Sequence, residues 1–416
     1  MKETRLDDTF WSRFAKNNWE RKPLMLRNIK SDLLELDESE IFKLIVKAAD
    51  RSRREKNLLG FKFFVGGIRS SDVETLFVLP RKSDKSFLGY NERMERMYQD
   101  YCLVCDELLQ VNREKQSLLT QFTRDLYRHV GFSNRFAEMG LYLGNYRKTP
   151  FGVHRDLCGV FSFPVVGTKK FRAWSPEYVA KNPALEQSFR YSKHNAESLV
   201  LEGEVGDMMY WPSASWHIAE SNGSFSATWS LGVWVDRPTS ELVSETLVTL
   251  LTDKMDERIS ASTISVSDKS ERAGPDGEVR SVPDVFDAAI ATLKQLTRED
   301  LHSAFRATWL KRLSGSGLKT LAKSDAPFAM NKTLKLREVN APILWTLLSD
   351  SKNKRFKFSY AFGDSGLNSS TSRELLKLIK SLNAGATVEA AKVLNGKNKL
   401  VNSKSLKLLG DAGAFQ

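Results

Sequence analysis

The triplet His154-Arg155-Asp156 and the distant His217 are the residues of this chain whose types and spacing suit metal chemistry. On an extended strand, residues i and i+2 point the same way, so the His154 imidazole and the Asp156 carboxylate converge on one side. His217 lies 61 residues beyond Asp156, at the end of the turn-containing stretch "GDMMYWPSASWH". Two imidazoles and one carboxylate make a facial set that suits a ferrous ion and leaves three coordination positions open. A His-x-Asp triplet alone arises by chance, but the chain has only five histidines and two of them fall in this set.

A second signal lies between the two histidines. Lys169-Lys170 interrupts the otherwise apolar, strand-like run "GVFSFPVVGTKKFRAW". Adjacent strand residues face opposite ways, so one lysine points inward and the other outward. A buried ammonium needs an anionic partner. In a 2-oxoglutarate-dependent site that partner is the distal carboxylate of the cosubstrate. The keto-acid end of the cosubstrate then takes two open metal positions, and dioxygen takes the third.

The elements that must position these groups are short strands. From about residue 138 the runs "MGLYLGNY", "GVFSFPVVG", "KKFRAWSP", "ESLVLEGEVGDMMYWP" and "SFSATWSLGVWV" are β-rich and separated by Gly, Pro, Asn and Ser. Such punctuation predicts a small barrel or jelly roll. The Asn-Gly of "ESNGSFS" predicts a hairpin. Before the strands, "DDTFWSRFAKNNWERKPLMLRN" reads as an amphipathic helix ended by Pro23 and followed by a short strand; residues 38–55 and 91–130 also read as helical. After Pro238, "SELVSETLVTLLTDKM" and "DVFDAAIATLKQL" carry apolar residues at helical spacing, and residues 260–284 between them read as a polar, mobile loop. The last hundred residues mix short strands with two helices. One of these starts at a Thr371–Glu374 capping box, and the pattern is that of a winged helix.

Hydrophobic residues make up 41% of the 416 residues and charged residues 27%, the balance of a globular chain with room for more than one domain. No run approaches 18 apolar residues and the first residues lack an apolar core, so neither a membrane span nor a signal peptide is expected. Three cysteines, Cys102, Cys105 and Cys158, argue against a disulfide framework and for a reducing, cytoplasmic setting. The Cys102/Cys105 pair has no second pair to complete a zinc site and, in a helical context, no redox role is expected. The net charge is +12, and residues 301–416 carry 20 Lys+Arg against 7 Asp+Glu. The basic excess therefore sits at the C-terminal end. It fits contact with nucleic acid or a ribonucleoprotein, or simply a solvated lysine-rich face.

Four stretches carry a resemblance: "FWSRFAKNNWERKPLMLRN", "TPFGVHRDLCGVFSFPVVGTKKFRAW", "GDMMYWPSASWHIAE", and the helical pair with its winged-helix-like end. Together they resemble the JmjC-type, cupin-4 Fe(II)/2-oxoglutarate oxygenases, and among these the ribosomal-oxygenase branch. The resemblance implies an α+β chain. A double-stranded β-helix (cupin/jelly-roll) catalytic domain with N-terminal helices spans residues 1–237, a helical dimerisation region 238–320, and a basic winged-helix-like domain 321–416. It maps the iron ligands onto His154, Asp156 and His217, and the 2-oxoglutarate lysine onto Lys169, leaving Lys170 outward. It implies a homodimer and hydroxylation of a side chain in a protein or peptide, either a ribosomal protein or a biosynthetic precursor peptide. N-methyl-lysine demethylation, RNA hydroxylation and non-catalytic nucleic-acid binding are the alternatives. One position departs from the pattern. Three residues before the first iron histidine the related enzymes often carry Thr or Ser, and here it is Phe151. Further cosubstrate contacts are then expected from Tyr142, or from Thr228 and Ser230. Trp211 and Trp216 flank the site, and core packing is the expected role for both.

Overall fold

The computed structural model describes residues 4–30, 37–221, 223–255, 263–264, 277–279, 282–319, 321, 328–329, 333–337, 341–348, 356–394 and 397–416. Contacts divide the chain into two compact units, residues 1–237 with 316–323 and residues 238–315 with 324–416.

In chain order the first unit contains β1 (Thr4–Arg5), α1 (Asp8–Asn17), β2 (Leu24–Leu26), β3 (Ile29–Lys30), α2 (Glu38–Glu55), β4 (Phe61–Val65), β5 (Ile68–Arg69), α3 (Asp72–Val78) and α4 (Phe87–Glu95). There follow β6 (Tyr101–Asp106), α5 (Arg113–Val130), β7 (Ala137–Gly144), β8 (Cys158–Val166), β9 (Thr168–Trp174) and α6 (Pro176–Lys181). The last four strands are β10 (Leu199–Glu204), β11 (Met208–Trp211), β12 (Trp216–Glu220) and β13 (Ser226–Trp234). Eight strands form one sheet in the order β2-β11-β8-β13-β7-β6-β4-β5, and three form a second, β10-β9-β12. Both are antiparallel throughout. The two sheets enclose a cavity, the arrangement of a double-stranded β-helix.

Strand alternation explains why the large sheet has two different faces. On β7, Met139, Leu141 and Leu143 join the main apolar core, while Glu138, Gly140 and Tyr142 line the cavity. On β13, Trp229, Leu231 and Val233 go to the core, and Thr228, Ser230, Gly232 and Trp234 to the cavity. The N-terminal helices cover the core face. Asp7 caps α1 by accepting from Phe10 N at 2.8 Å, and the helix buries Phe10, Trp11 and Phe14. Trp11 meets Phe122 of α5 edge-on at 5.2 Å, and Phe122 meets Phe161 of β8 at 5.5 Å. Each such fully buried side chain contributes about 1.5–3 kcal/mol relative to exposure, so the core face fixes the strand register that the cavity face depends on.

Several expectations are corrected. Helix α1 ends at Asn17, six residues before Pro23, where the Asn18 N–H still reaches Phe14 O. Residues 91–130 are not one helical stretch: β6 interrupts them, between β4 and β7. "YCLVC" is buried on both faces, and a continuous apolar run of five has no period to separate a helix from an inner strand. The Asn-Gly segment does not close a hairpin. Strand β12 pairs with β9 while β13 pairs with β7 and β8, so this connection passes from one sheet to the other; Asn222 itself lies outside the described residues.

The second unit begins with α7 (Thr239–Lys254), α8 (Asp284–Gln295) and α9 (Arg298–Ser314). The third helix starts at a Thr297/Asp300 capping box. Residues 260–284, read as a mobile loop, lie outside the described residues except 263–264, 277–279 and 282–284. The remainder holds β14 (Thr333–Leu334), β15 (Leu344–Leu348), β16 (Lys357–Ala361), β17 (Asn368–Ser370), α10 (Arg373–Asn383), β18 (Val388–Glu389), α11 (Ala391–Leu394) and α12 (Lys399–Asp411). Strands β15-β16-β17 form a three-stranded sheet and β14-β18 a pair. The cap of α10 is Ser372, not Thr371: the Ser372 hydroxyl accepts from Leu375 N at 3.1 Å and donates to Glu374 at 2.9 Å. Among the described residues three helices, not two, occupy this end. No helix among the described residues is long and apolar enough to cross a membrane.

Candidate metal centre

His154 and His217 meet at an isolated antiparallel bridge. His154 N donates to His217 O at 3.0 Å and His217 N to His154 O at 2.7 Å. Residues paired this way present their side chains on one face, and the two imidazole centroids lie 4.5 Å apart. Asp156 completes the group. Its Oδ1 is 3.6 Å from His154 Nε2 and its Oδ2 3.5 Å from His217 Nε2. One ligand atom from each of the three lies within 4.8 Å of the others.

The other ring nitrogens fix what these imidazoles can do. His154 Nδ1 is 3.0 Å from Gly152 O, and His217 Nδ1 is 3.0 Å from Ser215 O. A nitrogen facing a carbonyl carries the proton, so each Nε2 keeps its lone pair for a metal. Gly152 is required for this turn. Its φ is +67°, and a Cβ there would sit 2.6 Å from Gln187 O. His217 is 3% exposed. Burial first, then neighbouring His154, pushes its pKa down to about 4 against the pull of Asp156. The ring is therefore neutral near pH 7, as a ligand must be.

Lys169 lies on β9 and is 2% exposed. Its ammonium donates to the Tyr146 hydroxyl. Among the described residues no carboxylate pairs with it, and burial lowers its pKa to about 7, opposed by Cys102. Lys170 turns the other way and pairs with Glu202 at 3.4 Å. A cation buried without an anion is a site that awaits one. The cavity, about 380 Å³, brings Lys169 together with His154, Asp156, His217, Tyr142, Thr228 and Ser230. The Thr228 hydroxyl has no hydrogen-bond partner. Ser230 Oγ donates to Ser162 Oγ at 3.4 Å. Tyr142 is the register partner of Thr228, and burial raises its phenol. Phe151 packs edge-on to His154 at 5.7 Å.

Sequence reasoning missed part of this cavity. Tyr146, the hydrogen-bond partner of Lys169, keeps the parity of Tyr142 but lies two residues beyond the end of β7 at Gly144 (φ +154°), where strand alternation no longer says which way a side chain faces. A Cβ at 144 would lie 2.0 Å from Tyr101 O. A half-exposed charged end was also missed. Lys62 pairs with Asp106 at 2.6 Å, and Lys319 bridges Glu107 at 3.1 Å and Glu138 at 2.5 Å. Trp234 Nε1 donates to Glu138 at 2.9 Å. Lys319 arrives from the far side of α9, where Leu318 makes a parallel bridge to Ala137, and no local pattern could announce it.

The cysteine pair sits on a strand, contrary to the helical expectation. Cys102 belongs to a small cluster with Tyr146, and Cys105 to the main core. Strand residues three apart face opposite ways, so the two thiols cannot share a metal. Burial holds the Cys102 thiol up to about 12.

Residues 117–241 match the family model of the JmjC domain. No curated protein matches the sequence. Among solved structures the chain is similar to ycfD of Escherichia coli, at 14% identity and TM-score 0.51 over 98% of this chain and 97% of that one. Two further structures of that protein, at 14% identity, TM-score 0.50 and the same coverage, are described as a ribosomal oxygenase in complex with cobalt and 2-oxoglutarate and with cobalt and succinic acid. At this identity the likeness establishes a shared fold.

Proposed function

We propose that this chain, with its JmjC domain at residues 117–241, is an Fe(II)- and 2-oxoglutarate-dependent oxygenase that hydroxylates an amino-acid side chain in a protein or peptide. The observation that carries the reading is the His154–Asp156–His217 group, with both Nδ1 atoms tied to carbonyls and both Nε2 atoms turned to the carboxylate. The donor set of two neutral imidazoles and one carboxylate fits a ferrous ion with open positions. Lys169 fits the distal carboxylate of 2-oxoglutarate, with the Tyr146 hydroxyl beside it and the unpartnered Thr228 hydroxyl on the same cavity wall. Tyr142 and Ser230 shape that wall.

Iron and 2-oxoglutarate, when bound, supply the oxidative decarboxylation that activates dioxygen and yields succinate and carbon dioxide. The chain does the rest. His154, Asp156 and His217 would hold the metal and leave its remaining positions to reactants. Lys169, protonated, anchors the cosubstrate by charge. Phe151, Phe171 and Trp211 line the cavity with apolar surface and limit water. The charged end built by Asp106, Glu107, Glu138, Lys62 and Lys319 meets the substrate backbone or side chain at the entrance.

A ribosomal protein is the favoured substrate. The structural likeness to a ribosomal oxygenase and the basic C-terminal end both support it; a biosynthetic precursor peptide is the other candidate. Residues 238–320 form the dimerisation region, residues 321–416 a winged-helix-like domain open to contact with nucleic acid or ribonucleoprotein, and the setting is cytoplasmic. The intact ligand set counts against a degenerate, non-catalytic cupin. Succinate release from 2-oxoglutarate in air, stimulated by a ribosomal-protein peptide panel, tests the proposal. Binding of neither iron nor 2-oxoglutarate would reject it.

A further inference from the structure

Trp211 ends β11 on the inward face of the large sheet. Its register partner on β8 is Val160, which pairs in turn with Gly232 of β13, and all three line the cavity. The indole lies 4.0 Å from the Phe171 ring and 5.1 Å from the His217 ring, centroid to centroid. The residue is 2% exposed, and its Nε1–H has no hydrogen-bond partner among the described residues.

An indole used only for packing gains nothing from its N–H. Phe would fill the space against Phe171 without stripping a donor of water, and most buried indoles find an acceptor; Trp229 also lacks one, but it lies in the core and not on the cavity. The Thr228 hydroxyl is unpartnered on the same cavity. So, among the described residues, the cavity holds two donors without acceptors and one ammonium, Lys169, whose hydrogen bond is to Tyr146. All three lack the same thing, an oxygen-rich anionic ligand.

The two ends of the cavity sort these groups. Lys169 and Phe171 sit two apart on β9 and face the same way. Phe171 packs at a tilt against Trp211, and Trp211 packs against His217 of the candidate metal group. The indole is thus at the metal end and the ammonium at the other. We propose that Trp211 is a cosubstrate-binding residue whose Nε1–H donates to an oxygen at the metal-proximal end of 2-oxoglutarate. The inference rests on reading the cavity as a 2-oxoglutarate site.

The test uses the full-length protein labelled with 15N at its indole nitrogens and loaded with Zn(II) as a diamagnetic substitute for iron. The nine indole N–H signals are followed as 2-oxoglutarate is added, and the Trp211 signal is identified by its loss in Trp211→Phe, or in Trp211→Tyr should the first variant not fold. The expected result is a downfield move of the Trp211 proton on adding 2-oxoglutarate to the zinc-loaded protein, with slower solvent exchange. Trp211→Phe should weaken 2-oxoglutarate by about tenfold or more and leave zinc affinity unchanged. Should 2-oxoglutarate bind with Lys169-dependent affinity while the Trp211 signal stays put and Trp211→Phe binds as well as wild type, the Trp211 assignment is overturned and the cosubstrate reading stands. If wild type binds no 2-oxoglutarate, the cosubstrate reading falls and the Trp211 assignment falls with it.

Discussion

His154 and His217 hold one another by two backbone hydrogen bonds, His154 N to His217 O and His217 N to His154 O, at 3.0 and 2.7 Å. They belong to no common ladder; this one bridge sets their side chains on the same side. The metal group therefore does not depend on either imidazole for its backbone geometry. Removing a side chain should remove the metal and keep the fold.

His217→Ala is accordingly expected to weaken Fe(II) or Mn(II) binding by more than about 100-fold while the thermal midpoint of the metal-free protein changes little. Isothermal titration with Mn(II) and a melting curve on the same sample check both halves. A variant that unfolds would show that the imidazole also packs the core.

Lys169 gives a pH dependence. Burial sets its pKa in the folded chain to about 7, below the ordinary lysine value, so folding favours the neutral amine. In the free protein, stability should rise with pH above about 7 until the unfolded-state value is passed, because the unfolded chain binds the extra proton in that window. Cosubstrate binding has the opposite slope. The carboxylate needs the ammonium, so binding takes up a proton above pH 7 and affinity falls by up to about tenfold per pH unit. Titrations of 2-oxoglutarate at several pH values should show this slope in wild type and in Lys170→Met, and a flat, weak profile in Lys169→Met.

Gly232 keeps the cavity open between Val160 and Glu138, its register partners on either side. A Cβ there would lie 3.0 Å from Cys158 Sγ. Gly232→Val should cost about 1–3 kcal/mol of stability through crowding. Peptide-stimulated succinate release should drop sharply, with Mn(II) and 2-oxoglutarate affinities retained. Equal stimulation of variant and wild type would place the substrate path elsewhere.

Lys319 ties Glu107 to Glu138, with about two-fifths of its side chain exposed. Lys319→Ala should cost about 1 kcal/mol, near the upper end for a partly exposed ion pair, and less at high salt. The exposed Lys407–Asp411 pair is the comparison, and Lys407→Ala should be close to neutral. Urea melts at two salt concentrations separate the two.

The convergence of His154, Asp156 and His217 was legible because residue type and spacing carry it: two histidines, an aspartate and a lysine inside an apolar run point to one candidate site. The strand assumption behind His154 and Asp156 was looser than its result: His154 makes a single bridge and Asp156 follows in irregular chain, yet the two still converge. What stayed hidden depends on contacts between distant segments. Tyr146 meets Lys169 from beyond the end of β7, where no strand period applies. Strand β6 read as helix because both its faces are buried. Lys319 reaches the cavity from beyond three helices of the second unit. The Trp211 donor carries no sequence signal at all, since an apolar strand residue next to the metal group reads as packing until its N–H is seen to lack a partner.

On the proposed reading, His154, Asp156 and His217 hold iron and Lys169 holds 2-oxoglutarate in one cavity. The measurement that meets it most directly is anaerobic binding of Fe(II) and 2-oxoglutarate followed by succinate release in air, for wild type, His217→Ala and Lys169→Ala. Wild type should bind both and release succinate, His217→Ala should lose iron, and Lys169→Ala should keep iron and lose 2-oxoglutarate. Wild type that binds iron but shows the same 2-oxoglutarate affinity as Lys169→Ala, or that binds neither, would contradict it.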